Sequence, residues 1–199
     1  MPLIKILTSI QKKEFEEAPI LNQELKNEIF KLPNELEQQV YSLNNSSNQI
    51  HFILMFGYFK ITHRFFDSVT YYNEDIEYII SKFKLVNCLY TSDIAQSTLT
   101  LYKRQIRQYF YCVKFTSNIY EILQKESNLL VRKLLKMQDI FYLLVEKSME
   151  LKIEIPSYTQ IVTIISSSIN TQNNLVYKKI KKYENHEALK NLDYLLKED

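Results

Sequence analysis

Glycine is almost missing from this chain: Gly57 is the only one in 199 residues. Tight hairpin turns lean on glycine at positive φ, so a sheet-rich fold is disfavoured from the outset. Neither of the glycine-rich phosphate loops, G-x-x-x-x-G-K-[ST] or G-x-G-x-x-G, can be written with one glycine. Cysteine is scarce too. Cys88 and Cys112 stand apart, with no His or Cys at ligand spacing. That excludes a structural zinc site and leaves reduced thiols in a cytosol as the simplest reading. The three histidines, His51, His63 and His186, are scattered and have no Ser or Cys in a nucleophile setting. Long apolar runs are lacking as well. His51–Phe59 falls far short of a membrane span, and no basic leader precedes an apolar core. The expectation is a soluble, cytoplasmic protein with no membrane partner, no metal, no cofactor and no small-molecule ligand. Charge of one sign does not dominate either, since the formal net charge is only +2.

What is present is helical periodicity. Hydrophobic residues make up 46% of the chain and charged residues 24%, enough for a buried core. Ile76, Ile79, Ile80 and Phe83 form one face, with Asn73 placed to N-cap it and Glu74 and Asp75 near its positive end. Leu130, Leu134, Met137, Phe141 and Leu144 form a second face over a long segment. Tyr158, Ile161, Ile165 and Ile169 form a third, with Ser157 as its cap, and Leu192, Leu195 and Leu196 close the chain on a short helix. The segment from Asn48 to about Lys60 is apolar nearly all round, which predicts a central helix. Gly57 within it marks close helix–helix packing. The acidic clusters Glu14-Glu16-Glu17 and Glu35-Glu37 read as solvated helix faces.

Breaks fall at Pro19, Leu32-Pro33, Leu43–Ser47, His63–Tyr72, Lys114–Asn118 and Glu154–Pro156. The fold class predicted is all-α: two small helical bundles of about eight to ten helices, with short loops and no substantial sheet. Polar Thr116-Ser117-Asn118 separates two apolar-periodic blocks, placing a boundary between residues 1–115 and 116–199.

The sign of charge is uneven along the chain. Residues 51–115 hold eight Lys/Arg against five Asp/Glu, and Ile94–Tyr120 holds no acid at all. Within that stretch Leu99, Tyr102, Ile106 and Phe110 recur at helical steps. Lys103 and Arg107 lie one turn apart on the flank, with Arg104 beside them and Lys114 beyond. A helix that docks by one side and offers clustered cations suits a polyanion, most simply nucleic acid; a solvated basic flank fits the pattern equally. Lys178, Lys179, Lys181 and Lys182 make a second cluster open to the same two readings. His63 beside Arg64 could touch phosphate or serve the core.

The segment T-L-T-L-Y-K-R-Q-I-R-Q-Y-F, residues 98–110, resembles a stretch near the N-terminus of the Tn-three family of replicative transposases. Other blocks are similar to that family in the same order. They are Pro2–Thr8, Phe15-Glu16-Glu17-Ala18-Pro19, Phe30-Lys31-Leu32-Pro33 and Asn48-Gln49-Ile50-His51-Phe52. Gly57-Tyr58-Phe59-Lys60, Arg64-Phe65-Phe66, Glu154-Ile155-Pro156-Ser157-Tyr158 and Leu192-Asp193-Tyr194-Leu195-Leu196 follow. Two departures stand out: the family usually has Gly at the positions of His51 and Tyr111, which bears on local turn geometry.

The resemblance implies an end-recognition module for the terminal inverted repeats of a transposon. Lys103, Arg104 and Arg107 would contact phosphates or base edges, with Tyr102 and Lys114 alongside. Lys60 and Arg64 would grip the backbone, and Lys178, Lys179 and Lys182 would add a second strip. Transposases of this family cut DNA with three carboxylates and two metal ions on a domain C-terminal of the part matched here. The chain is therefore expected to be a truncated reading frame or a fragment that binds double-stranded DNA and is not an enzyme. The alternative is a helical protein-interaction scaffold or regulator derived from such a fragment, with self-association through an exposed core face.

Overall fold

The computed structural model describes residues 4–43, 45–85 and 89–184, with residues 182–184 as backbone alone. Pro2, Leu3, Cys88, His186 and the expected closing helix at Leu192–Leu196 lie outside them. The described residues are all-α. Nine helices occur among them: α1 Ser9–Glu16, α2 Gln23–Ile29, α3 Asn34–Tyr41, α4 Ser46–Thr62, α5 Asn73–Lys82, α6 Gln96–Tyr109, α7 Ser117–Arg132, α8 Met137–Glu150 and α9 Tyr158–Glu184. They divide into two compact units. One holds residues 7–116 and 145–158; the other holds residues 4–6, 117–144 and 159–184.

The first unit is built around α4. Its sequence is apolar on every side, and Ile50, Phe52, Ile53, Leu54, Phe56 and Phe59 are all buried, with α2, α3, α5 and α6 packed around it. A helix of this composition has no solvated face to offer, so it becomes the core about which others lay their stripes. Asn45 caps its start, accepting from the Ser47 amide at 2.8 Å. It ends at His63, in the left-handed region at φ 51°, whose N–H returns to the Phe59 carbonyl at 2.8 Å. Gly57 faces the C-terminal end of α2. A Cβ there would meet the Phe30 ring and lie 2.9 Å from Ile29 Cγ2, so the glycine is required by approach rather than by dihedral angle.

Local readings of the sequence need correction in two places. Asn73 does not cap α5: it is the first helical residue, and Tyr72 stands at the cap with its carbonyl accepting from Asp75 and Ile76. The face from Leu130 to Leu144 is not one helix. The chain leaves α7 after Arg132, and Leu134 is 91% exposed at φ 55°, before α8 restarts at Met137. Apolar spacing alone ran through the interruption because the residues on either side happened to keep phase.

The nearest approach to a sheet among the described residues is a single parallel bridge between Val113 and Ile153 in the first unit. Val113 N–H donates to Lys152 O and Glu154 N–H to Val113 O, each at 2.8 Å, and Ile155 N–H reaches His63 O at 3.0 Å. These bonds hold residues 153–156 as a strap against the end of α6, after a turn at Leu151 and Lys152 that closes α8. In the other unit, Leu123, Leu130, Phe141, Ile161 and Ile165 are buried. Gln124 Nε2 ties α7 to α9 through the Ile164 carbonyl at 3.2 Å and Ser168 Oγ.

Candidate nucleic-acid interface

Helix α6 is amphipathic as its spacing requires. Ile106 is fully buried, and Tyr102 is only 2% exposed, its ring edge-on to Phe52 with centroids 5.2 Å apart. Tyr102 is therefore a core anchor, not the surface contact expected of it. An aromatic this deep cannot meet a duplex without unpacking α4.

The cations of α6 divide into free and committed. Arg104 on α6 and Lys114 just past its end are exposed, while Lys103 and Arg107 are half-buried and both reach the Phe65 ring, 5.5 Å and 5.7 Å from its centre. Arg107 Nη1 donates to Glu154 Oε2 at 2.8 Å, a pair in which both side chains are largely withdrawn from water. The strap thus brings a carboxylate to a helix that has none of its own. No window on the sequence could show this, because Glu154 arrives from 47 residues downstream. Burial is the main cause that lowers the Lys103 pKa, and the like charges of Arg107 and Lys114 lower it further, against Glu154 and Asp67. The three cations are close enough to feel one another.

Other expected contacts are placed differently. Lys60 Nζ donates to the Glu28 carbonyl at 3.0 Å, in the last turn of α2, where a cation is favoured by the helix dipole. Arg64 lies over Phe15, Cζ 3.7 Å from the ring centre, and 5.2 Å from that of Phe66. Lys178 and Lys179 are exposed on α9; the Lys182 side chain lies outside the described residues. His63 stacks on Phe59, and burial lowers its pKa. Beside Lys103 a cleft of about 450 Å³ opens between Phe65, Asp67, Asp93 and Leu99.

Sequence reasoning missed a buried polar group in the first unit. Lys26 is 6% exposed and Asp75 is 1% exposed, yet Lys26 Nζ meets Asp75 Oδ1 at 2.7 Å. Tyr58 donates to Asp75 Oδ2 at 2.5 Å, and burial first, then this bond, push its hydroxyl pKa far up. Lys26 and Asp75 each looked like ordinary helix-surface residues. The available signal was Tyr58, a hydroxyl in the most apolar helix of the chain, which had to find a partner.

An all-helical domain that docks a basic helix by its apolar side is the class that these features define. The chain belongs to a family described as a domain of unknown function (DUF4158), which it matches over residues 6–168. No curated protein sequence matches it significantly. No helix among the described residues is long and apolar enough to cross a membrane, and no group of three His, Cys, Asp or Glu among them could hold a metal ion.

Proposed function

We propose that this domain binds double-stranded DNA through α6, as the end-recognition part of a Tn-three-type replicative transposase. The observation that carries the reading is the surface of α6 and its exit. Lys103, Arg104 and Lys114 offer positive charge there, Arg104 and Lys114 exposed, and no acid stands on the helix itself. Clustered cations release counterions when they neutralise phosphates, so binding weakens steeply as salt rises. Arg104 is the residue proposed to read bases, because its fork matches the two acceptors of guanine and the side chain is exposed. Arg107, engaged with Glu154, holds the patch in shape. The proposed role is recognition, with strand cleavage left to carboxylates elsewhere.

The test is a mobility shift with a duplex carrying the terminal inverted repeat of the transposon, against a scrambled duplex of equal length. Reversing Lys103, Arg104 and Lys114 to Glu should abolish the shift while circular dichroism stays unchanged. Equal binding by the reversed protein would reject the site; equal competition by the scrambled duplex would reject sequence recognition.

A second reading rests on α9. Leu175, Val176, Tyr177 and Ile180 stand exposed on its C-terminal half, the stripe that a protein-interaction scaffold would offer. Light scattering separates the two: a tight dimer that ignores DNA at low salt favours the scaffold.

A further inference from the structure

Arg64 has the chemistry of an ion-pair residue and no ion pair. Its backbone N–H donates to Thr62 Oγ1 at 3.2 Å, but its guanidinium makes no hydrogen bond or salt bridge with any described residue. The Phe15 ring centre lies 3.7 Å from its Cζ and that of Phe66 5.2 Å. Burial lowers its pKa to about 10, a shift that only Glu16 opposes. Arg107 shows what this chain does with a guanidinium it needs for structure: it supplies a carboxylate at 2.8 Å. A desolvated charge is costly unless paired. Arg64 has lost water to two rings, and the one carboxylate that acts on it, Glu16, makes no salt bridge with it.

Arg64 lines a pocket of about 260 Å³ whose other walls include Phe15, Pro19, Ile61, Phe66, Met149 and Ile155. Pockets that enclose drug-sized ligands run to roughly 300–1,000 Å³, so this one suits a single ring or short chain. Glu14 and Glu17 stand in its wall. Glu17 is partly neutralised by Lys13 at 3.8 Å and Glu16 by Lys12 at 3.6 Å, whereas Glu14 is exposed. Acids at the rim repel a multiply charged phosphate, which would also have to shed a tight hydration shell against apolar walls. They tolerate one carboxylate that brings its own apolar group. A planar fork matches a carboxylate through two parallel hydrogen bonds.

We propose that this pocket is a binding site for a small monocarboxylic acid bearing a compact apolar group, with Arg64 holding the carboxylate and the apolar wall holding the rest. The site is independent of the DNA reading: it neither uses α6 nor requires that α6 bind anything.

Phenylacetate is the probe, with 2-phenylethanol as its uncharged counterpart and inorganic phosphate as the apolar-free anion. In the isotope-labelled full chain, phenylacetate should shift the methyl resonances of Ile61, Met149 and Ile155 saturably, and the other two should not. Arg64→Met keeps an apolar filler between the rings and should weaken binding by about tenfold or more, as loss of a charged hydrogen bond implies. Because that variant could unfold, Met149→Trp serves as a second: it fills the pocket, leaves Arg64 in place, and should also abolish the shifts. Phosphate or 2-phenylethanol binding as tightly as phenylacetate would overturn the proposal. So would unchanged phenylacetate binding in either folded variant. Shifts produced by a tripeptide ending in phenylalanine but not by phenylacetate would reassign the pocket to a peptide terminus, and shifts produced only by a DNA duplex would reassign Arg64 to the phosphate backbone.

Discussion

Glu154 closes on Arg107 from a strap that begins a full helix pair further along the chain, and both side chains are withdrawn from water where they meet. The pair does two things at once. It pins residues 153–156 to α6, and it subtracts one positive charge from the patch proposed to face DNA. Glu154→Gln should therefore lower stability and strengthen DNA binding. The stability loss should be about 1–3 kcal/mol, because Arg107 keeps a neutral acceptor rather than none. In salt titrations of DNA binding, the slope of log K against log salt should steepen by up to about one unit as Arg107 becomes free to meet a phosphate. An unchanged slope with reduced stability would leave Arg107 purely structural.

The Lys26–Asp75–Tyr58 group makes a sharper stability prediction. Asp75→Ala leaves the buried Lys26 ammonium with only the exposed Glu74 carboxylate at 3.9 Å and strands the Tyr58 hydroxyl, and should cost about 3–5 kcal/mol in urea unfolding. Replacing all three together, Lys26→Met, Tyr58→Phe and Asp75→Leu, removes every polar atom and should recover most of that loss. If the triple variant is as unstable as Asp75→Ala alone, the loss comes from packing and not from the unpaired charge.

His51 predicts the pH dependence. Its ring is fully buried, Nε2 donates to the Thr91 carbonyl at 2.9 Å, and Nδ1 has no partner. Burial holds its pKa below the ordinary 6.5, so the unfolded chain takes up the proton first. Stability from this group is full above pH 6.5 and is lost as pH falls through that value towards the folded pKa. His63 is shifted the same way and adds to the slope. Thermal melts from pH 7.5 to 5 should show a falling midpoint, flatter in His51→Gln. A midpoint constant across that range would mean that His51 takes up its proton as readily in the folded protein.

Two backbone positions predict opposite signs. Gly57→Ala should destabilise by about 1–3 kcal/mol despite alanine's better helix propensity, because its methyl enters the Phe30 ring. Phe30→Leu in the same chain should return part of the loss. Tyr111 stands at φ 52° with its side chain 81% exposed, so it carries backbone strain and little packing. Tyr111→Gly should be neutral or stabilising by up to about 1 kcal/mol, measured by denaturant unfolding.

The helices were legible because each writes its period locally. The central position of α4 followed from apolar residues on all its sides, and the packing face of α6 from Tyr102 and Ile106. The left-handed turn at Tyr111, at φ 52°, has no periodicity to announce it. What stayed hidden depends on partners far apart in sequence. Lys26 and Asp75 sit on different helices, the carboxylate that meets Arg107 sits on the strap after α8, and a charge looks solvated until its neighbours are known. The end of α7 was hidden for another reason: Leu134 kept the apolar phase while its backbone left the helix.

The strap has a consequence for the order of synthesis. Apart from residues 145–158, the unit around α4 lies within residues 7–116, and Ile153 and Glu154 leave the ribosome only after α7 and α8 have been made. At roughly 5–20 residues per second, the nascent chain spends several seconds with α6 translated and Arg107 unanswered. For that interval the helix is at its most positive, and it emerges beside ribosomal RNA.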